Sequence, residues 1–455
     1  MVVKIKLIAL VFFIFFSNYS YCAQKFQIIR DAEIEFFLHK LIDSTIDDKI
    51  NQNFKPRLVL NNEYNAFVTG SDKIYVNTGL IVKSNSLSEI QAILAHEIGH
   101  LALNHYNTRL VNTKNLSNYS KFATLAGIAL AGSRKLNADT AFGLIVGSND
   151  LANKSSLQFS RIQEQQADKY ALEQMIKRKI SLTGLENLLS NLVNEERFNA
   201  NKDMNYYRSH PFTKQRLDQV KRFKLKYQKI SLEEQRVLIN DNIISLQYIK
   251  NKIYAYSNDP YKIIKDLENK HDFLSNYSQV VALSRIGKYD LANKKFAKIK
   301  SKYKDYPFFY ELSGDIYFKN GNFVSAINEY EKAIQTIRKT SIPVTDIIKF
   351  SLIKTYFQTK RLTDLNKSVN LLEELIQNNP NWSYLWRLLS KASGKLNQKG
   401  VAYIALAEEA LIKKNFIKAK KYVDMANKQA NLPSYYKLRG SDILARVRFN
   451  KARNN

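Results

Sequence analysis

Residues 96–100 read His-Glu-Ile-Gly-His. A helix turns about 100° per residue, so His96 and His100 face nearly the same side and both imidazoles can meet one cation. Glu97 is turned off the two-histidine line, yet it is near enough to hold a water on that cation and take its proton, the work of a general base. The surrounding run AILAHEIGHLAL is strongly apolar, and two uncoordinated imidazoles there would carry a desolvation cost. Gly99 is expensive in a helix interior and needs a packing or functional reason. Zinc suits histidine and carboxylate ligands around an open hydrolytic position, and the expectation is one ion per chain.

A hydrolytic zinc takes three protein ligands and leaves one position for water, so a third ligand must come from elsewhere. His105, His210 and the carboxylates of the segment SRIQEQQAD, residues 160–168, are the candidates. In that segment Glu164 and Asp168 lie four apart and share one helix face. Glu164 is the expected ligand, and Asp168 is expected to orient His96 or His100 through its other ring nitrogen. If the helix continues to residue 106, the five-residue offset of His105 turns it off the face of His96 and His100, which reads as a structural role.

The elements that must position these groups follow from periodicity. Ile34, Phe37, Leu38, Leu41, Ile42 and Ile46 give a helix between about residues 26 and 50. Short strands are expected at 57–60, 66–68 and 72–77, making a small sheet or hairpin. Ser86 and Glu89 stand at capping-box spacing before a long helix over 86–106 that carries the two histidines. Residues 122–146 are apolar and rich in Ala and Gly; two closely packed helices are the plain reading, and a flap or membrane-leaning loop is the functional one.

From about Tyr248 the pattern is helical and repetitive. Tyr310, Gly314, Tyr317, Gly321, Phe323, Ala326, Tyr330 and Ala333 follow tetratricopeptide spacing, and one 34-residue period earlier stand Leu283, Gly287, Tyr289, Ala292 and Phe296. A further unit, from Tyr403 to Ala426, keeps the spacing but falls out of phase, with degenerate repeats between. Such helix pairs must stack and leave a concave face for partners. The fold class is therefore α+β and mainly helical: a domain with a small sheet and the candidate zinc site at residues 23–245, then an all-α solenoid at 246–455.

Before both stands a secretory signal at residues 1–22, with Lys4 and Lys6 ahead of an apolar run from Leu7 to Phe16. That run is short for a membrane span, so a cleaved signal is expected rather than an anchor. The single cysteine, Cys22, lies in the cleavage region; its removal leaves no thiol for a disulfide or a thiolate metal site. Tyr21 fits a lipoprotein signal poorly. The net charge of +29 comes from 70 Lys plus Arg against 41 Asp plus Glu. Because Lys, Asn, Ile and Tyr are abundant together, the charge reads as compositional bias, with peripheral contact to an anionic membrane as the secondary reading. No nucleic-acid module is present, and the basic residues form no single arm.

These motifs together resemble the HtpX-like and BepA-like zinc peptidases. The resemblance rests on HEIGH at 96–100, SRIQEQQAD at 160–168 and NAFVTGSDKIYVNTGLI at 65–81, and it covers most of residues 30–220. It implies a zincin-like fold of gluzincin type, with His96, His100 and Glu164 as ligands and Glu97 as base. It also implies that the strand at 72–77 lies along the substrate cleft, so substrate is expected to add as an extended strand to a sheet edge near 72–77, with Asn65, Asp72, Ile74 and Val76 binding it. Ser209-His210-Pro211 with Arg216 matches a further family element, placing His210 near the metal, either stabilising a developing oxyanion or capping the open position, and Arg216 with the substrate. A signal peptide, this domain and a tetratricopeptide tail look like the BepA-like members, which implies a periplasmic endopeptidase acting on unfolded or misassembled polypeptides in outer-membrane protein quality control. The tail would bind protein partners, outer-membrane assembly machinery among them. The rival reading is an assembly adaptor or chaperone with a latent zinc site; a membrane-bound prenyl-protein protease lacks the necessary hydrophobic spans.

Overall fold

The computed structural model describes residues 27–46, 54–69, 73–105, 161–198, 210, 213–227, 237–239, 242–303, 305–337 and 345–454. The signal segment at 1–22, Cys22, Asp72 and the apolar stretch 122–146 lie outside the described residues.

Helix α1 (Ala32–Thr45) starts at Asp31, whose carboxylate accepts the Ile34 N–H, the arrangement that satisfies an otherwise unpaired first-turn donor. Phe36, Phe37, Leu38, Leu41 and Ile42 are buried. Against it lies a four-stranded sheet of β1 (Ile28–Ile29), β2 (Lys55–Val59), β3 (Ala66–Thr69) and β4 (Lys73–Asn77), in spatial order β1-β2-β4-β3. β2 and β4 run parallel, while β3 and β4 are antiparallel with Ala66 opposite Val76 and Val68 opposite Ile74.

That order corrects one expectation. The strand at 72–77 is not a sheet edge: β4 is paired on both sides, and the edges are β1 and β3. Ile74 and Val76 are fully buried in the core, because alternate residues of a strand share a face. Their side chains cannot line a substrate cleft.

β4 runs directly into α2 (Thr78–Lys83), where a side chain at Gly79 would collide with the Asn62 carbonyl. Helix α3 (Leu87–Ala102) is capped by Ser86, whose hydroxyl accepts the Glu89 N–H at 3.4 Å. Glu89 reaches back to the Asn85 N–H at 2.9 Å rather than to Ser86, and it also accepts from the Tyr64 hydroxyl. Helix α4 (Arg161–Lys177) packs across α3 at Gly99, where a Cβ would lie 3.3 Å from the Ala167 backbone and 3.1 Å from the Tyr170 ring. The glycine is therefore a close-approach position. α5 (Thr183–Phe198) and α6 (Thr213–Lys226) complete this half, followed by the hairpin β5 (Val237–Ile239) and β6 (Asn242–Ile244).

Twelve further described helices, α7 (Leu246–Ser257) to α18 (Ser434–Asn454), stack as successive neighbours. α9 (Phe273–Arg285) with α10 (Tyr289–Lys300), and α11 (Pro307–Lys319) with α12 (Phe323–Ile337), are the two units with matching sequence period. Gly287 and Gly321 occupy their turns at φ +80° and +76°, the left-handed region that glycine enters without steric cost. Gly314 sits under the Tyr330 ring, where a Cβ would come within 2.7 Å.

The first half and the repeats share one continuous core. Phe36 packs on Phe308 with ring centroids 5.6 Å apart. Buried Glu33 accepts from Lys252 Nζ at 2.7 Å, from the Tyr248 hydroxyl at 3.1 Å and from the Tyr306 hydroxyl. Lys252 also reaches Asp31 at 2.9 Å. Burial opposes charge on Lys252, but Asp31 and Glu33 more than offset it and hold its pKa well above the ordinary value. A buried, fully partnered ion group of this kind fixes α1 against α7 and α11, since breaking one member strands the others without solvent.

Candidate metal centre

α3 presents His96, Glu97 and His100, α4 presents Glu164 and Asp168, and His210 enters from the segment before α6. All six are essentially inaccessible to solvent. One ligand atom from each of His96, His100, Glu164 and His210 lies within 4.8 Å of all the others. His96 Nε2 is 3.1 Å from His100 Nε2, 3.3 Å from His210 Nδ1 and 3.5 Å from Glu164 Oε2. His100 Nε2 is 3.4 Å from Glu164 Oε1, which is 3.0 Å from His210 Nδ1. Ligands about 2.0–2.1 Å from a tetrahedral zinc stand roughly 3.3 Å from one another, and these contacts, counting whichever Glu164 oxygen is nearer, are of that size.

The outward-facing nitrogens are engaged as that fit requires. His96 Nδ1 lies 2.9 Å from Asp168 Oδ1, so its N–H donates to the carboxylate and Nε2 is the nitrogen that points into the cluster. Asp168 is gripped by Arg216, whose Nε and Nη2 donate to Oδ2 and Oδ1 at 2.7 and 2.8 Å. Arg216 Nη1 lies 2.8 Å from Glu164 Oε2. Glu97 Oε1 is buried, accepts no hydrogen bond, and has His210 Nε2 at 3.4 Å.

The electrostatics favour a cation at this point. Burial opposes the charge of Asp168, but Arg216 and His96 outweigh it and hold the carboxyl down to about 2. Burial likewise opposes Glu164, yet His210 and Arg216 keep its pKa well below the usual range. His96 meets the same opposition from burial, and its hydrogen bonds to Asp168 and Glu164 carry it up to about 9. His100, 3.1 Å away, is driven well below its ordinary value by burial, with His96 adding to that. The two facing Nε2 atoms cannot both carry a proton, so the pair admits one positive charge. Burial raises the pKa of Glu97 above the ordinary carboxylate value, with His210 and His96 opposing that rise.

Residues 30–224 match the profile of Peptidase family M48. This segment is an M48 peptidase domain. The protein is thus a metalloprotease, with the His/Glu group of the M48 domain able to hold a metal ion. Over 391 residues the chain is 19% identical to the beta-barrel assembly-enhancing protease of Escherichia coli (strain K12), covering 84% of this chain and 76% of that one. It is 21% identical over 362 residues to the protein of that name from Yersinia pestis, covering 77% and 70%. The metalloprotease YcaL of Escherichia coli (strain K12) is 24% identical over 166 residues, 36% of this chain and 60% of that one. No described helix is long and apolar enough to cross a membrane.

The structure brings His96, Glu97, His100, Glu164, Asp168 and His210 of the M48 domain together and places the expected substrate residues differently. Arg216 is 1% exposed and spends its guanidinium on Asp168 and Glu164, so it is not a surface for substrate. Asn65 is buried, and its carbonyl accepts the Asn77 N–H. Two residues belong to the centre that sequence reasoning passed over or misread. His105 lies against the His100 ring rather than away from it, and Gln166 lies beside His105. The helix on which the five-residue offset was counted ends at Ala102, and Asn104 at φ +59° turns the chain back. For Gln166 the available signal was its place between Glu164 and Asp168.

Proposed function

We propose that this protein is an exported zinc endopeptidase whose ion is held by His96, His100 and Glu164, with His210 as a resting-state fourth ligand. The convergence of ligand atoms from His96, His100, Glu164 and His210 within 4.8 Å of one another, with the buried Glu97 carboxylate beside them, carries this reading. When bound, zinc supplies a Lewis acid for the scissile carbonyl and acidifies a water. Glu97 takes the proton of the attacking water and delivers it to the departing amine, the exchange for which its raised pKa suits it. Asp168 fixes the tautomer of His96, and Arg216 keeps Asp168 and Glu164 charged.

Peptide substrate adds to β3, the edge strand of the sheet on the side that meets α3. Backbone pairing along an edge reads extended chain rather than sequence, which directs the enzyme to unfolded or stalled polypeptides. With a cleaved signal over residues 1–22, a peptidase domain over 23–245 and a repeat domain over 246–455, the work lies in the periplasm. The Escherichia coli and Yersinia pestis relatives are named for enhancing beta-barrel assembly, so we assign the stacked repeats the part of holding assembly machinery or its clients.

Metal analysis of the purified mature chain and a Glu164→Ala variant, with casein cleavage on the same samples, tests the reading. About one zinc per chain, lost together with cleavage in the variant, supports it; a wild-type chain that takes up no zinc overturns it. His210 gives a second expected outcome. Its Nδ1 lies 3.3 Å from His96 Nε2 and 3.0 Å from Glu164 Oε1 and would occupy the position that water or substrate needs, so His210→Ala is expected to raise casein cleavage several-fold while zinc content holds. A fall in cleavage with zinc retained assigns His210 to transition-state stabilisation instead.

A further inference from the structure

The second ligand histidine is held by a chain of two side chains that the mechanism above does not use. His100 Nδ1 lies 3.1 Å from His105 Nδ1, and His105 Nε2 lies 3.0 Å from Gln166 Oε1. The imidazole rings meet edge to face, their centroids 5.2 Å apart. His105 is 5% exposed and His100 is fully buried, so bulk water cannot substitute for the contact between the two rings.

A contact between two ring nitrogens works only with one proton between them, and which ring owns it decides what His100 can do. If His105 donates, His100 must carry its own proton on Nε2, aimed into the ligand cluster, and no lone pair is left for an ion. If His100 donates, its Nε2 is a bare lone pair. Gln166 selects between these states. Its Oε1 accepts a hydrogen, which places the His105 proton on Nε2 and leaves Nδ1 as the acceptor for His100. Asn104, at φ +59°, turns the chain just past α3 so that His105 comes back over His100. Gln166 lies two residues from both Glu164 and Asp168 on α4, so one helix supplies the proposed third ligand and a stay for each of the two histidines.

We propose that His105, oriented by Gln166, is a positioning residue that locks His100 in the metal-binding tautomer, as Asp168 does for His96. This deepens the zinc reading and rests on it. Loss of such an outer partner commonly costs about 10–100-fold in metal affinity.

Zinc dissociation constants of the full chain, measured by competition with a chelator of known affinity, are the readout, with thermal unfolding of the metal-free proteins alongside. His105→Phe keeps the ring but removes the acceptor, and its dissociation constant is expected to rise about 10–100-fold. His105→Asn restores an acceptor near the Nδ1 position and is expected to recover most of that loss. Gln166→Leu, a change on the exposed side of α4, is expected to weaken zinc in the same direction and keeps the test available if His105→Phe does not fold. Equal affinity in wild type, His105→Phe and Gln166→Leu overturns the relay while leaving the zinc reading intact. A loss that the asparagine variant does not recover, tracking thermal stability alone, also overturns it by making His105 a packing residue. A wild-type chain with no measurable zinc affinity overturns the metal reading itself.

Discussion

Glu97→Gln leaves the zinc content unchanged and lowers peptide-bond cleavage by about 10²–10⁴-fold, the usual worth of a positioned general base. The substitution keeps size and hydrogen-bonding shape but cannot take a proton. Glu97 Oε1 is buried and accepts no hydrogen bond, so an amide there strands no existing donor. The side chain is outside the ligand set of His96, His100, Glu164 and His210, which is why metal should be retained. kcat on a fluorogenic peptide, with metal analysis of the same preparation, checks both parts. Cleavage at the wild-type rate would remove Glu97 from the mechanism, and zinc loss would make it a ligand. The same variant separates protease from adaptor: an adaptor acting through its repeats keeps its cellular role when Glu97 is replaced, and a protease does not.

The side-chain cluster of the candidate metal centre was largely legible because its geometry is local. Two histidines on one helix and two carboxylates on another obey the same 3.6-residue arithmetic, and α3 and α4 need only to cross at Gly99 for the pairs to meet. His105 was misplaced because that arithmetic fails where a helix ends. Asn104 in the left-handed region reverses the direction that extrapolation assumes, and nothing in the residue types marks Ala102 as the last helical residue. Strand order in the sheet was hidden for a different reason. Alternation identifies 73–77 as a strand, but a parallel partner at 55–59 depends on the intervening chain crossing over, so the central strand read as an edge. The repeats show a third limit. Where the helix-to-helix turns use Gly287 and Gly321 the period stood out; later turns put Lys360, Asn397 and Lys414 in the same left-handed conformation, and without glycine the repeats read as degenerate. The junction built on Glu33 and Lys252 joins residues more than two hundred positions apart, and no local pattern announces it.

Arg216→Met destabilises the metal-free protein by about 3–5 kcal/mol, the scale for removing one partner of a buried charge group. The guanidinium is bidentate on Asp168 and also meets Glu164, so its removal leaves two buried carboxylates to share the remaining cationic surroundings. Lysine is a poor replacement, since one ammonium cannot form the planar fork, and Arg216→Lys should recover only a minor part of the loss. The sign of the pH dependence follows from Asp168, whose carboxyl burial would raise but Arg216 holds down to about 2. A group with a depressed folded pKa contributes stability above its unfolded value, near 3.9, and loses it as the pH falls toward the folded one. This contribution to wild-type stability is therefore full at neutral pH and is lost below about pH 4. A bound divalent cation supplies positive charge beside the same carboxylates, so zinc should narrow the gap between the two proteins. Urea unfolding with chelator and with zinc, followed by a probe in the first half of the chain, reads all of this. If the metal-free variant unfolds at the wild-type urea concentration, Arg216 does not hold the two helices at the separation the ligands need, and the placement of Glu164 must rest on the α3–α4 contact at Gly99 alone.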